Sequence, residues 1–396
     1  MTINQMPIEF AFWIIAFLIV YTYVIYPLLL IMVSGLIQGI SDTRYILNKS
    51  DRRTFVPEEW PEVAIVMSAF NEEKHIVDRI NNLLGQDYPS DKLSIYIGSD
   101  GSTDRTVELA RTIQDKRLNL FVYSENRGKI SVLNELLGKI TEPIVVFTDA
   151  NTFYQPDATK KLARHFVAGD IAGVCGELYL INLKTGSNKD SLYWRLERIL
   201  KFHEGKINGF LGANGAIYAI RRENYQTLPT DTIIDDFTVF LNISLNGHKV
   251  IYDTEAIAEE EVAPDMFAEY GRRVRIGAGN YQAFFRFLNA FHPRHKFRVF
   301  TYFSHKVIRW FTPHLMVLLL LVNSFLLDQI LYQFIFLIQI MVYLATFIVV
   351  KYFKSTHFPS LIALPVFLVY MNAALAHGFF RYISGNSKGA WERTER

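Results

Sequence analysis

Long uncharged stretches crowd the two ends of this chain, and they constrain everything between them. No residue in 10–40 carries a charge, 329–350 is uncharged, 311–327 holds only His314, and 358–380 holds only His377. A helix of about 20 apolar residues crosses the hydrocarbon of a bilayer. The chain therefore reads as multi-pass, with an N-terminal transmembrane helix at 8–40 and about three transmembrane helices within 306–383. A basic tail at 384–396 follows. The first run is too long for a secretory signal and lacks a basic start and a small-residue cleavage site, so it reads as a retained anchor.

Basic residues set the orientation. Arg44, Lys49, Arg52 and Arg53 follow the first run, and Arg294, Lys296, Arg298, Lys306 and Arg309 precede the second. The positive-inside rule then puts the region between them on the cytoplasmic side of the cell membrane, with Asp328 outside and Lys351 and Lys354 inside again. Three C-terminal spans would carry 381–396 to the far side, against the same rule. Either that tail departs from the rule or one run does not cross, and both readings stay open.

The remainder of the 396 residues suffices for one soluble domain. The lone Cys175 excludes an internal disulfide and a multi-cysteine metal site, and reads as a small buried hydrophobe. A net charge of +2 gives no electrostatic footprint for nucleic acid, so none is expected as a partner. The glycine-rich stretch 209–215 lacks the lysine and serine of a phosphate-binding P-loop and the context of a dinucleotide fingerprint.

Between the ends, short β-branched runs alternate with helical patterns. Strands are expected at 63–67, 94–97, 119–123, 144–147 and 172–175, and helices at 75–84, 104–114, 129–140 and 156–166. This alternation predicts an α/β domain with a mostly parallel sheet, whose ligands bind beyond the carboxyl ends of the strands. Polar clusters follow those strands: Ser68 to Glu73 after the first, Ser99 to Asp104 after the second, and Thr148 to Asn151 after the fourth. Any one of them alone reads as turn chemistry and helix capping. Three on one rim read as a site.

The ordered series of these motifs over about 62–282 resembles the family 2 glycosyltransferases, in particular the membrane-bound branch with the cellulose, hyaluronan and poly-N-acetylglucosamine synthases. The resemblance implies a GT-A fold, Rossmann-like, as a cytoplasmic domain at 60–282. It implies that Ser68, Phe70 and Glu72 hold the donor nucleoside, with Asp100 accepting a hydrogen bond from the base. Lys129, in Arg127-Gly128-Lys129, matches a basic motif beside the diphosphate, since a lysine at a helix start otherwise opposes the helix dipole. The family's metal motif D-x-D reads Asp149-Ala150-Asn151 here, so Mg²⁺ or Mn²⁺ is implied, with Asp149 and Asn151 as ligands. The neutral Asn151 implies a looser metal site and tolerance of Asn151→Asp. Asp235 and Asp236 match the acidic pair that contains the general base, with Asp236 aligned to the base. Arg272 and Arg275 match the final Q-x-x-R-W motif near the diphosphate and acceptor. Arg272 stands for its glutamine and Ile276 for its tryptophan, which puts processive polymer synthesis in doubt.

The aromatic run Phe284, Phe285, Phe287 and Phe291 reads as a helix lying in the membrane interface over 283–305, a buried helix being the alternative. Residues 192–205 read as an ordinary amphipathic surface helix, a helix flanking the acceptor channel being the alternative.

The function expected is inverting transfer of sugar from a nucleotide-sugar donor, a UDP-sugar above all, to a glycan or lipid acceptor, in contact with membrane lipids. One alternative is transfer of a single sugar to a polyprenyl phosphate or glycolipid. Another, of a different class, is an inactive membrane scaffold or transport subunit. Intact acids and the lack of ionisable residues other than histidine within the apolar runs oppose that last one.

Overall fold

A computed structural model describes residues 6–48, 59–167, 169–181, 192–209, 212–261, 266–352 and 360–385. Lys49, Arg52, Arg53, Lys354 and the tail beyond 385, which helped to place the membrane above, lie outside the described residues.

The middle of the chain forms one sheet from β1 (Val63–Ala69), β2 (Leu93–Asp100), β3 (Leu118–Tyr123), β4 (Ile144–Thr148), β5 (Thr152–Tyr154), β6 (Ile171–Ile181), β7 (Tyr218–Arg221) and β8 (Lys249–Glu261). Their order is β3-β2-β1-β4-β7-β6-β8-β5. Every pairing in the β3-β2-β1-β4 half is parallel. Its inner strands β1 and β4 are continuous apolar runs because both faces are covered, whereas the edge strand β3 is only half-buried. Along β1, Val63, Ile65 and Met67 pack with Ile76, Ile80 and Leu83 on one face. Ala64 and Val66 pack with Val132, Leu133 and Leu136 on the other.

The second half is mixed. β7 lies antiparallel between β4 and β6, β8 runs parallel to β6, and β5 pairs antiparallel with the end of β8. β1 has β2 on one side and β4 on the other, so the chain reverses its direction of winding there. The crevice above their carboxyl ends is where such sheets bind ligands.

Among the described residues, four helices are long and apolar enough to cross a membrane: Met6–Leu47, Phe297–Ser324, Ile330–Tyr352 and Leu364–Ile383. The first has 42 residues, so it reaches past residue 40 and is longer than hydrocarbon alone requires. It passes through a π turn at Tyr21–Ile25, just before Pro27, whose ring cannot fit a regular helix interior. Its Tyr26 and Leu30 then pack against Leu200 and Ile207.

Two expectations need correction. Helix Leu192–Lys206 is not an ordinary surface helix, because Glu197, Leu200, Lys201 and Glu204 are all buried. Residues 283–305 are not one helix either. Helix Met266–Arg286 ends there, two short 3-10 turns follow at Leu288–Phe291 and Pro293–His295, and the next helix starts at Phe297. Phe284, Phe287 and Phe291 pack around Tyr302, Trp310 and Phe237, so the aromatic run mostly meets protein, while Phe285 and Leu288 stay exposed.

Helix Met266–Arg286 is clamped from the membrane side by helix Ser360–Ile383, and the two backbones touch at Gly378. A Cβ placed there would lie 2.7 Å from both the Ala278 nitrogen and the Val274 oxygen. Small residues permit such backbone contact between helices. Gly378→Val should force the helices apart and destabilise the detergent-solubilised protein by about 1–3 kcal/mol. Gly35→Val, at a site with nothing within 4 Å, should leave the thermal midpoint unchanged. Equal midpoints for the two variants would contradict the crossing.

Candidate active site

The loops after β1 and β2 are laced together above the crevice. Asn71, left-handed at φ 54°, accepts from the Thr103 backbone at 2.8 Å, and its own N–H donates to Ser102 Oγ at 3.1 Å. The Glu72 N–H donates to Thr106 Oγ1 at 2.7 Å. Ser68 is buried, and Phe70 and Glu72 are half-buried, so this rim is shaped but open.

Asp100 ends β2, on the rim where the sequence places it. It is 1% exposed. Its two oxygens accept the backbone N–H groups of Arg127 and Gly128, each at 2.8 Å. Both thus hold the loop that precedes Lys129, and each oxygen keeps a further lone pair. Gly101 completes this fit, since a Cβ there would lie 2.5 Å from the Asn126 nitrogen.

That clamp delivers Lys129, the first residue of helix Lys129–Leu137, into the crevice. Its Nζ lies 2.9 Å from Asp149 Oδ1 and 3.1 Å from Asp235 Oδ2. Burial disfavours its charge, but Asp149 and Asp235 outweigh burial and raise it above its ordinary value. One ammonium thus joins the residue after β4 to the start of helix Asp235–Leu245.

Asp236 sits beside this bridge. Its Oδ1 accepts the Phe237 N–H at 2.8 Å. Burial first, and the Asp235 charge second, push its carboxyl up to about 6. A carboxyl so placed can take or hold a proton near neutral pH. Asp235 and Asp236 are presented by the chain just before them. There Gln282 accepts from the Ile233 N–H at 3.1 Å and donates to the Asp231 carbonyl at 2.9 Å.

Arg275 comes from helix Met266–Arg286 and stays accessible from the cleft. Crowding by protein and then the neighbouring Arg272 lower it from its ordinary value, against the pull of Asp235, Asp149 and Asp236. Arg272 lies 3.5 Å from Glu269, with its guanidinium 6.0 Å from the Trp194 ring centre.

Asn151 Nδ2 donates to Glu260 Oε1 at 3.2 Å. Among the described residues, no group of three or more His, Cys, Asp and Glu stands together as a metal set.

The sequence reading missed two of these residues. Arg79 is fully buried under Asp149, bonded to Thr148 Oγ1 with its guanidinium 4.6 Å from the Tyr154 ring centre, and burial lowers it to about 10. Its signal was a charge at the spacing of the apolar face Ile76, Ile80 and Leu83. Glu260 belongs to β8, a strand that the sequence pattern did not reveal.

Lys129→Met should leave Asp149 and Asp235 facing each other without a counter-charge. Loss of one partner of a buried ion pair costs about 3 kcal/mol, so the thermal midpoint should fall clearly. Adding Asp149→Asn should return part of the loss. Strict additivity of the two changes would mean that the side chains do not interact.

Comparison with known proteins agrees with this architecture. Residues 64–227 match the model of glycosyl transferase family 2. The chain is 26% identical over 252 residues to the poly-beta-1,6-N-acetyl-D-glucosamine synthase of Staphylococcus aureus (strain COL), covering 62% of this chain and 60% of that protein. It is 26% identical over 239 residues to the beta-monoglucosyldiacylglycerol synthase of Synechocystis, covering 57% of this chain and 49% of the relative. The match thus spans at most about three-fifths of these relatives. A mannosyltransferase from Pyrobaculum calidifontis, solved with GDP-Man and Mn²⁺, superimposes with a TM-score of 0.63 at 20% identity, over 92% of this chain and 99% of that one. That likeness establishes the GT-A fold.

Proposed function

Starting from a chain that carries a family 2 glycosyltransferase domain, we propose that this protein is an inverting hexosyltransferase of the cell membrane. Its domain at 60–282 faces the cytoplasm and moves sugar from a nucleotide-diphosphate sugar, a UDP-sugar above all, to a membrane-proximal glycan or lipid. The observation that carries the reading is the convergence of Asp149, Asp235 and Asp236 on Lys129, with Arg275 facing them. Carboxylates suited to a cation and a proton stand beside cations suited to a leaving diphosphate.

In the reaction, the acceptor hydroxyl oxygen forms a bond to the anomeric carbon as the bond from that carbon to the diphosphate breaks. Asp236 takes the hydroxyl proton. Lys129 and Arg275 offset the charge gathering on the departing diphosphate. The rim at Ser68, Phe70 and Glu72 cradles the nucleoside. Asp100 acts indirectly, by holding the loop that aims Lys129.

Mg²⁺ or Mn²⁺ fits this donor set. Mg²⁺ commonly takes only one or two carboxylates and completes its shell with phosphate oxygens and water. Asp149 and the carbonyl oxygen of Asn151 would hold it from the protein side. Such a cation would neutralise the leaving diphosphate.

The acceptor reading has two branches. The names of the two relatives point to a polysaccharide and to a glycolipid respectively. Transfer of one sugar to a lipid is favoured by Ile276 at the motif's tryptophan position and by the direct packing of helix Leu192–Lys206 on the first membrane helix.

Asp236→Asn should bind nucleotide normally yet lose transfer by about a hundred- to ten-thousand-fold, because a general base acts only in the transition state. Asp235→Asn should be milder. The pH dependence has a definite sign. The base works as carboxylate, so turnover should fall as pH drops through about 6. Asp235→Asn removes a repelling charge and should move that acid limb to lower pH. Initial rates at saturating donor, measured from pH 4.5 to 8, read both effects. A dead Asp235→Asn beside an active Asp236→Asn would exchange the two roles, and two active variants would make the pair a helix start only.

A further inference from the structure

The metal motif has an amide where a second carboxylate is usual, and an amide is a two-faced ligand. Its oxygen attracts a cation, whereas its NH₂ repels one. Nothing within the side chain decides which end turns toward the metal. Here a second residue decides it. Glu260 is 6% exposed and lies in β8, where it pairs with Thr152, the residue after Asn151. Its carboxylate accepts from Asn151 Nδ2 at 3.2 Å. An ionised carboxylate only accepts, so the NH₂ must face it and Oδ1 must face away.

We propose that Glu260 is a positioning residue for the metal site: it holds the Asn151 amide with the carbonyl oxygen free for the cation. This rests on the donor-site reading above and adds a residue that no part of the motif contains. Position 151 carries no charge, and a carboxylate stands beside it at 260. Polarisation by the carboxylate also makes the amide oxygen a better ligand, as partners behind metal ligands commonly do. A consequence reverses the expectation from sequence. Asn151→Asp would set two carboxylates at hydrogen-bond distance, and like charges there repel. It should therefore be harmful alone and tolerated only with Glu260→Gln.

The test uses the full-length protein in detergent, with Mn²⁺ titrated by calorimetry or by its paramagnetic resonance signal in the presence of UDP or GDP. Glu260→Gln should weaken Mn²⁺ binding about ten- to hundredfold, while metal-free nucleotide affinity, which reports folding, stays at the wild-type value. Asn151→Asp should also weaken Mn²⁺ binding. The double variant, with an acid at 151 that needs no orientation, should return to within about threefold of wild type, by the coupling expected of touching residues. Wild-type Mn²⁺ affinity in Glu260→Gln, or a double variant as weak as the singles, would overturn the proposal. A wild-type protein that binds neither nucleotide with Mn²⁺ would instead remove the donor site, and this role for Glu260 with it.

Discussion

One ammonium shared between two carboxylates holds the crevice together. At 2.9 and 3.1 Å, Lys129 forms ion pairs with Asp149 and Asp235, which belong to different parts of the fold, with Asp236 alongside. Like charges a few ångströms apart near a protein surface repel by a few kcal/mol, on the order of 4 at 4 Å. Three acids in one crevice therefore require cations from several directions. Lys129 comes from the loop side, Arg79 from below and Arg275 from the cleft. Even the position of Lys129 must be enforced, because a helix start disfavours a cation. The Asp100 clamp on the Arg127 and Gly128 amides supplies that force.

The same logic of buried charge ties the sheet domain to the apolar helices. Glu197 and Glu204 are seven residues apart and share one helix face. His305 spans them, Nδ1 lying 2.7 Å from Glu204 and Nε2 3.2 Å from Glu197. Arg309 also pairs with Glu197, and Tyr26 donates to Glu204 at 2.6 Å. Burial works to raise Glu197, but Lys306, His305 and Arg309 outweigh it and hold its carboxyl well below the usual range. Three chain segments meet at this network, from the first apolar helix, helix Leu192–Lys206 and helix Phe297–Ser324. Any one of its charges, left alone, would be an uncompensated buried ion. The wall of the crevice is thereby fixed relative to the membrane helices.

The parallel half of the sheet was legible because β1 and β4 are buried on both faces and read as continuous apolar runs, and β2 and β3 are rich in β-formers. The rim residues were legible because they follow those strands directly. β5, β7 and the register of β8 were not, since β5 and β7 are only three and four residues long. β8 carries Asp253, Glu255 and Glu259 to Glu261, which break any strand pattern. Arg79 and Glu260 escaped for a related reason: a buried charge is recognisable only once its partner is known, and Thr148 and Asn151 lie 69 and 109 residues away. Asp100 was legible on the rim, but the amides it holds were not, because sequence gives a position on a strand and not the donors around it. The aromatic run after Gln282 resembled an interface helix by composition. Its packing partners Phe237 and Trp310 come from distant segments.

The central claim is that this crevice transfers sugar from a nucleotide donor. Its most direct test is to incubate membranes holding the protein with a panel of radiolabelled nucleotide sugars, and to separate lipid extract from high-mass polymer. The expected result is label from at least one donor in one of those fractions, dependent on divalent cation. No incorporation from any nucleotide sugar into either fraction, by protein that is folded and membrane-inserted, would contradict it.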